Sequence, residues 1–240
     1  MDTPITRDRF RALHESGLFI MPNPFDVGSA KQLAAAGYSA LATTSSGFAA
    51  TIGKADHEVT RDDLVAHVAA LAAAVDVPIN VDAEVCYPDE PGGVVETIDR
   101  LAQAGAAGVS IEDYIPGEGF LRLDEATNRV SVAAAAAARH GVVLTARAEA
   151  FLHDNPDIDE TMHRLAAYRD AGADVLYAPG IVSSEQIAAV VSLGLPVNVL
   201  ALAGQPTRND LESLGVRRIS TGGALTRAAY AAALAAAPPP

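Results

Sequence analysis

The chain has 240 residues, of which 50% are hydrophobic, so it can bury a large core, and its length suits a single α/β barrel. Its formal net charge of −13 argues against binding to nucleic acids, and any anion-binding site would need a local source of positive charge. One cysteine allows no intrachain disulfide, and we find neither a signal peptide nor an apolar run that could span a membrane, so we expect a cytoplasmic protein with no nucleic-acid or membrane partner.

Short β-branched runs alternate with longer amphipathic runs along the chain. The predicted strands are Leu18–Met21, Ser39–Thr43, Pro78–Asp82, Gly108–Glu112, Val142–Arg147, Asp174–Tyr177, Pro196–Leu200 and Arg217–Ser220. The predicted helices include Arg61–Val75, Gly93–Ala104, Ile158–Ala171, Ser184–Leu193 and Ala224–Ala236. Several helices end in a glycine directly before a strand, which is typical of βα units. Eight such units without a dinucleotide-binding fingerprint predict an α/β fold, a (β/α)8 TIM-type barrel that forms a single domain over residues 1–240.

Acidic side chains follow one another at the ends of three consecutive predicted strands. Asp82 and Glu84 alternate with apolar residues in the third strand and therefore share a face. The fourth strand ends at Glu112, and the fifth leads through Arg147 to Glu149. Because the active sites of such barrels lie at the C-terminal ends of the strands, we expect these five side chains at one rim.

The charge at this rim predicts a bound cation. One arginine cannot balance four carboxylates, whereas a hard divalent ion with oxygen ligands can. We therefore expect Mg2+, or Mn2+ in its place, with some of the acids bound through water. The alternative is that Arg147 only pairs with Glu112 or Glu149 in an ion network at the rim.

The segment after the second strand is a candidate anion site. Ser45, Ser46, Gly47 and Phe48 combine small hydroxyl residues with a glycine in a predicted loop, which can aim backbone N–H groups at an anion. Asp56 follows shortly afterwards and is a candidate for a further water-mediated contact to the metal.

Six short stretches of the sequence, in this order, resemble one known family. They are Asn23–Asp26, Thr44–Phe48, Gly53–Asp56, Val81–Glu84, Ser110–Asp113 and Ala146–Phe151. Their ordered set resembles the isocitrate lyase/phosphoenolpyruvate mutase superfamily and covers most of the chain. The resemblance implies a (β/α)8 barrel that binds Mg2+ and a 2-oxo acid at the ends of its strands.

The resemblance also implies roles for individual residues. Those implied in catalysis are Arg147, Glu112 and Glu149. Those implied in substrate binding are Ser45, Ser46, Gly47, Phe48, Asp82, Arg147, Asn198 and Arg227. Those implied in metal binding, directly or through water, are Asp82, Asp56, Glu84 and Glu112. In this scheme backbone N–H groups hold the substrate carboxylate, Arg147 binds either the substrate's carboxylate or the developing enolate oxygen, and Arg227 binds a distal carboxylate.

The segment after the fourth strand departs from the family. The carbon–carbon lyases carry a Lys-(Lys/Arg)-Cys-Gly-His loop there, but Tyr114–Arg122 contains no cysteine, lysine or histidine. Its glycines suit a mobile lid, and Tyr114 is either a proton donor or a packing residue. Cys86 is either a relocated acid/base or a small buried residue. His57 and His153 are either general bases or surface residues, and the surface alternative is the simpler one.

These observations predict a Mg-dependent lyase or decarboxylase that acts on a small 2-oxo or 2-hydroxy di- or tricarboxylate through a metal-stabilised enolate. The alternatives are a P–C bond hydrolase of a phosphonate and a non-catalytic 2-oxo acid binding protein on a degenerate barrel. A phosphorylated substrate at Thr221–Gly223 is a further alternative. Schiff-base chemistry is not expected, because the two lysines, Lys31 and Lys54, lie outside the strands. The small-molecule carboxylate is the expected partner, together with further copies of the chain in a homo-oligomer, either a dimer or a tetramer.

Overall fold

The computed structural model describes residues 3–153 and 155–238. Eight parallel strands form one sheet: β1 (Phe19–Met21), β2 (Leu41–Ala42), β3 (Ile79–Asp82), β4 (Gly108–Glu112), β7 (Val143–Arg147), β8 (Val175–Tyr177), β9 (Val197–Leu200) and β10 (Arg218–Ser220). A separate antiparallel hairpin consists of β5 (Tyr114–Ile115) and β6 (Gly119–Phe120).

The sheet is a nearly closed barrel. Its strands follow the order β2-β3-β4-β7-β8-β9-β10-β1, and each hydrogen-bonded pair is parallel. The two outermost strands, β1 and β2, are linked where the Ala42 N–H donates to the carbonyl of Pro22 at 3.1 Å. The predicted single α/β domain with a (β/α)8 barrel is confirmed.

Helices cover the outside of the barrel. They are α1 (Thr3–Ala12), α2 (Val27–Ala35), α3 (Ser45–Thr51), α4 (Arg61–Ala74), α5 (Gly93–Gln103), α6 (Leu123–His140), α7 (Ile158–Asp170), α8 (Ser184–Val191), α9 (Arg208–Ser213) and α10 (Ala224–Ala236), with a one-turn 3-10 helix at Ala150–Leu152. Side-chain caps explain several of the starts, because Asp26, Thr60 and Thr207 each form a reciprocal capping box. Within the two described ranges, no helix is both long enough and apolar enough to cross a membrane.

Helix α1 closes the N-terminal end of the barrel. Phe10 is fully buried in a small cluster with Phe19, Val143 and Val175, which begin three of the strands. The Arg7 guanidinium fixes the helix further by donating to backbone carbonyls of α5, α6 and the turn that follows α5. Helix α1 therefore covers the end of the barrel opposite to the C-terminal ends of the strands, where the acidic side chains were expected.

Two segments differ from the sequence prediction. Residues 45–48 were expected to form a loop, but they begin helix α3, because the Thr44 side chain caps the helix by accepting from the Gly47 N–H. The expected lid after β4 contains the β5–β6 hairpin, which Leu121 ties to the barrel by donating its N–H to the Asp113 carbonyl at 2.8 Å.

Candidate active site at the mouth of the barrel

A cavity of about 290 Å3 opens at the C-terminal ends of the strands. Seven of the predicted site residues line it: Ser45, Ser46, Asp56, Asp82, Arg147, Asn198 and Arg227. Five others do not line it: Gly47, Phe48, Glu84, Glu112 and Glu149. The rim that the strand pattern predicted is therefore present, with some of its acids lining the cavity and others lying behind its wall.

Arg147 connects these acids. Its Nη1 lies 2.7 Å from Asp82 Oδ1, its Nη2 lies 3.2 Å from Glu112 Oε2, and its Nε lies 2.7 Å from Glu149 Oε1. The Arg147 side chain is 13% exposed, whereas those of Glu112 and Glu149 are 6% and 2% exposed. The simple ion network that the sequence left open therefore exists, but three acids share a single cation.

Burial sets the protonation behaviour of this group. It raises the pKa of Glu112 well above its usual value and also raises that of Glu149, while the neighbouring Arg147 opposes both shifts. Burial acts to lower the pKa of Arg147, but Glu149, Asp82 and Glu112 outweigh it and raise that pKa. Arg147 consequently remains a cation and cannot act as a proton donor.

Glu84 is the most exceptional acid at the rim. Burial raises its pKa to about 8, with Asp82 and Asp56 adding to the shift. Its backbone has a φ of +51°, a left-handed conformation that few residues other than glycine adopt. Its Oε1 is buried without a hydrogen-bond partner. A buried carboxyl with an unpaired oxygen is a candidate to face a cation or a bound water.

His57 does not lie free on the surface. Its Nδ1 is 3.6 Å from Glu84 Oε2, its Nε2 is 3.8 Å from Glu112 Oε1, and its side chain is 22% exposed. The simpler prediction of an ordinary surface histidine was therefore wrong. The backbone of His57 is also left-handed, with a φ of +63°.

The donor set suits a metal ion that keeps most of its water. Among the residues that the structure describes, no three acid, histidine or cysteine side chains are arranged to hold an ion together. Asp82, Asp56, Glu84 and Glu112 therefore do not form one direct ligand set. Mg2+ usually keeps several waters and takes one or two protein carboxylates, which Asp82 and Asp56 on the cavity wall can supply. The unpaired oxygen of Glu84 fits a water-mediated contact.

Helix α3 changes how an anion can be held. The Ser45 N–H donates to Asp82 Oδ2 at 3.2 Å, and the Phe48 N–H donates to the Thr44 carbonyl at 2.9 Å. Phe48 instead stacks on His67, with ring centroids 3.8 Å apart. The implied cradle of backbone N–H groups at Gly47 and Phe48 is therefore not formed, and only Ser45 and Ser46 of this segment line the cavity.

Gly47 is required for packing instead. A Cβ atom there would lie 2.4 Å from Thr44 Cγ2 and 2.5 Å from Thr226 Oγ1, so the glycine allows α3 to approach α10 closely. Gly223 acts in the same way, because a Cβ at that position would lie 2.9 Å from both Arg227 Nη1 and Ser46 Oγ. The two glycines keep Ser46 and Arg227 on the same wall of the cavity.

Asn23, Tyr177 and Arg218 are among the cavity residues that were not predicted as site residues. Asn23 Oδ1 accepts from the N–H groups of Thr221 and Gly222 at 2.8 and 3.0 Å, which joins the first and last barrel units. The Tyr177 ring lies over Arg147, with 5.4 Å between Cζ and the ring centroid. For Arg218 the available signal was its period-two spacing with Ser220, which places both on the inner face of β10.

The remaining candidates for a proton donor lie away from the cavity. Cys86 is fully buried, and burial raises the pKa of its thiol to about 12, which confirms the packing alternative. Tyr114 stacks on His153 with ring centroids 3.6 Å apart and packs against Phe120. Neither Tyr114 nor His153 lines the cavity, so Tyr114 is a packing residue of the hairpin.

Comparisons with known proteins show which family the chain resembles. Residues 10–238 match the family model described as phosphoenolpyruvate phosphomutase. A Burkholderia cenocepacia J2315 protein, described as a lyase/mutase candidate, is 46% identical with a TM-score of 0.93, and the match covers 98% of this chain and 87% of that one. The oxaloacetate decarboxylase of Paraburkholderia xenovorans LB400 is 30% identical over 83% of this chain and 69% of that protein.

A phosphonopyruvate hydrolase solved with oxalate and Mg2+ shares the fold, with a TM-score of 0.85 and 23% identity over 96% of this chain and 84% of that one. Members of the superfamily act as lyases, decarboxylases, hydrolases or mutases on small carboxylates. The chain therefore belongs to the phosphoenolpyruvate mutase family, within the phosphoenolpyruvate mutase/isocitrate lyase superfamily.

Proposed function

We propose that this protein is a Mg2+-dependent cytoplasmic enzyme that breaks a carbon–carbon bond in a small 2-oxo or 2-hydroxy dicarboxylate, with decarboxylation of a 2-oxo diacid as the favoured reaction. The observation that carries the proposal is Arg147, which lines the cavity while Asp82, Glu112 and Glu149 hold its guanidinium in place. Such a fixed cation stabilises negative charge where it develops in a reaction.

The acids that would hold the metal are Asp82 and Asp56 at the cavity wall, with Glu84 and Glu112 acting through water. When bound there, Mg2+ would supply a Lewis acid that polarises the 2-oxo group of the substrate. The same charge would offset the excess of carboxylates around Arg147, which the sequence identified as the reason to expect a cation.

The chain's own residues have separate roles in this reaction. Arg147 binds the 2-oxo oxygen and stabilises the enolate that remains after the bond breaks, because its raised pKa keeps it protonated. Glu112 and Glu149 lie behind it and act as positioning residues. Arg227 and Asn198 face the cavity from the other side and bind the distal carboxylate, next to Ser46.

The absence of a strong proton carrier from the cavity wall favours decarboxylation. No cysteine, lysine or histidine is among the described residues that line the cavity. Loss of CO2 from a 2-oxo diacid leaves an enolate that water can protonate, so this reaction needs no dedicated acid in the chain. Cleavage of a larger 2-hydroxy acid needs a base to remove the hydroxyl proton, and the cavity offers no histidine or lysine for that step.

Oxaloacetate turnover tests the proposal. We expect the protein with Mg2+ to form pyruvate faster than Mg2+ alone, and EDTA to abolish this excess rate. The substitution Asp82→Asn should lower the excess rate by a factor of at least about 100. The exposed Asp124→Asn serves as the matched control and should keep full activity. Binding of 2-oxo acids without turnover of any member of a panel would refute the enzymatic proposal in favour of a binding protein.

We also propose that the protein forms a homo-oligomer through α10. Tyr230 and Leu234 on this alanine-rich helix are 46% and 79% exposed, although both are large and hydrophobic. An apolar helix face of this kind is typical of a surface that another chain covers. A second copy of the chain is the proposed partner, because α10 packs on α3 and therefore continues the wall of the active site.

A further inference from the structure

A buried cation lies beneath the cavity, outside the acid cluster described above. Arg218 of β10 is 1% exposed, and its guanidinium lies among uncharged groups. Its Nε donates to Asn198 Oδ1 at 2.9 Å, and its Nη2 donates to Thr145 Oγ1 at 2.9 Å. Its Nη1 lies 3.2 Å from His14 Nε2.

His14 is a neutral acceptor in this network. Its Nδ1 lies 2.8 Å from the carbonyl of Phe10, which can only accept, so Nδ1 carries the hydrogen and Nε2 accepts from Arg218. Burial, together with the nearby charge of Arg218, lowers the pKa of His14 to about 3, so the ring stays neutral at physiological pH. Arg218 therefore has three neutral partners.

Burial of the Arg218 charge destabilises the folded protein. Across the part of the chain that the structure describes, no carboxylate lies within ion-pair distance of Arg218. A buried guanidinium without a counter-ion is unfavourable, and a hydrophobic side chain of similar volume would satisfy packing alone. A charge that packing does not require points to a ligand of opposite charge.

Arg218 also determines how Asn198 faces the cavity. Both residues line the cavity, together with Ser220. Because Asn198 Oδ1 accepts from Arg218, its Nδ2 lies on the other side and donates to Ser220 Oγ at 3.0 Å. The carbonyl oxygen and one N–H of this amide are thus both engaged, which leaves only the second N–H of Nδ2 for a ligand in the cavity.

The charge balance at the mouth of the barrel requires a source of positive charge other than Arg147. The single positive charge of Arg147 is shared by three acids, Asp82, Glu112 and Glu149, so little of it is left to attract an anionic ligand. Even a divalent ion leaves little excess positive charge there to attract a diacid. In a chain with a net charge of −13, the attraction must come from other cations that line the cavity, which are Arg218 and Arg227 among the described residues.

We propose that Arg218 is a positioning residue for the anionic ligand of this cavity. It supplies buried positive charge beneath the ligand and holds the Asn198 amide with its donor toward the ligand's carboxylate. The inference takes its ligand class, small dicarboxylates, from the proposed function. It does not require that the protein turns the ligand over.

Binding of oxalate in the presence of Mg2+, measured by calorimetry on the full-length protein, tests this role. We expect Arg218→Met to weaken oxalate binding at least about tenfold, as loss of a charge-assisted contact does. The same variant should unfold at the same temperature as the wild type or at a higher one, because it replaces an unpaired buried charge by an apolar side chain. A merely structural arginine would instead leave affinity unchanged and lower the unfolding temperature.

Two further variants separate charge from shape. Arg218→Lys and Arg218→Gln both keep a hydrogen-bond donor, but only lysine keeps the charge, so we expect the lysine variant to bind oxalate at least about fivefold more tightly. Equal affinities of these two variants would overturn the inference, even if Arg218→Met does not fold. A wild type that binds oxalate without turning over any 2-oxo acid refutes only the enzymatic proposal. A wild type that binds neither oxalate nor malonate, with or without Mg2+, overturns the role of Arg218 as well.

Discussion

Arg147 contacts three carboxylates of the rim, and each contact depends on a different part of its guanidinium. A lysine could not reproduce this geometry, because an ammonium is a point charge without a planar fork. The residue therefore combines two roles, since it stabilises the folded rim and presents a fixed cation to the cavity.

Replacement of Arg147 by methionine should show the structural role. Three acids, two of them almost fully buried, would lose their counter-ion, so we expect a loss of about 3–5 kcal/mol in the free energy of unfolding of the metal-free protein. Urea denaturation measures this loss. The control, Arg122→Met, breaks an exposed pair with Asp124 and should leave the stability essentially unchanged. Similar losses in the two variants would argue against the buried network.

His14 gives a pH prediction with a definite sign. Its pKa is about 3 in the folded protein against 6.5 in the unfolded chain, so the unfolded state binds the extra proton between these values. Its contribution to stability is therefore complete above pH 6.5 and is lost as the pH falls toward 3. We expect the wild type to lose up to about 2 kcal/mol more stability than His14→Gln between pH 7 and pH 4.5.

Urea denaturation at both pH values tests this prediction. The exposed His163→Gln serves as the control and should follow the wild type at each pH. If His14→Gln and the wild type lose stability in parallel, the histidine is not held neutral in the folded protein.

Single residues also show where sequence reasoning ends. Asp82, Glu112 and Arg147 could be predicted because they end consecutive strands with the right alternation. Arg218 could not be assigned a role, because one charged residue in a three-residue strand does not reveal that its partners are His14, Thr145 and Asn198. Those contacts come from distant parts of the chain and exist only once the barrel has closed.

Among the elements, α3 decides the shape of the cavity wall. Its sequence, Ser-Ser-Gly followed by Phe, has the composition of a loop, and the sequence prediction followed that composition. The helix forms because Thr44 caps its start and because Gly47 lets it pack closely on α10. Helix α1 was also missed, since it is held by burial of Phe10 and by the carbonyl contacts of Arg7, which are tertiary interactions.

Substitution of Gly47 by alanine tests the role of α3. The added Cβ would lie within 2.5 Å of both Thr44 and Thr226, so α3 must shift and carry Ser45 and Ser46 with it. We expect a loss of about 1–3 kcal/mol in stability together with weaker oxalate binding. Gly28→Ala in α2, where the nearest atom would be 3.4 Å away, should be neutral or slightly stabilising. Tolerance of Gly47→Ala in both measurements would contradict the packing argument.

The whole molecule is a barrel that α1 closes at one end, with its chemistry at the other. The fold class and the eight strands follow from the repeated βα pattern, because each unit repeats the same signals locally. The association of one chain with another cannot be predicted in this way, since it depends on which helix faces remain uncovered after folding. The structure leaves Tyr230 and Leu234 of α10 as such a face.

Light scattering, measured as the protein elutes from a size-exclusion column, tests the proposed assembly. We expect the wild type to have at least twice the 24.7 kDa mass of the chain, and the double substitution Tyr230→Asp and Leu234→Asp to shift it toward that of one chain. Val95→Asp places the same charge on another exposed hydrophobic residue, on α5, and should leave the mass unchanged. A monomeric wild type would exclude the interface.

The proposed reaction depends on a cation and an anionic ligand meeting at the mouth of the barrel. Diffraction from crystals grown with Mn2+ and oxalate, with anomalous scattering to locate the metal, tests this most directly. We predict a manganese ion bound by Asp82, with oxalate between the ion and Arg147. A well-resolved structure with neither metal nor oxalate at the mouth, at concentrations that saturate binding in solution, would contradict the account.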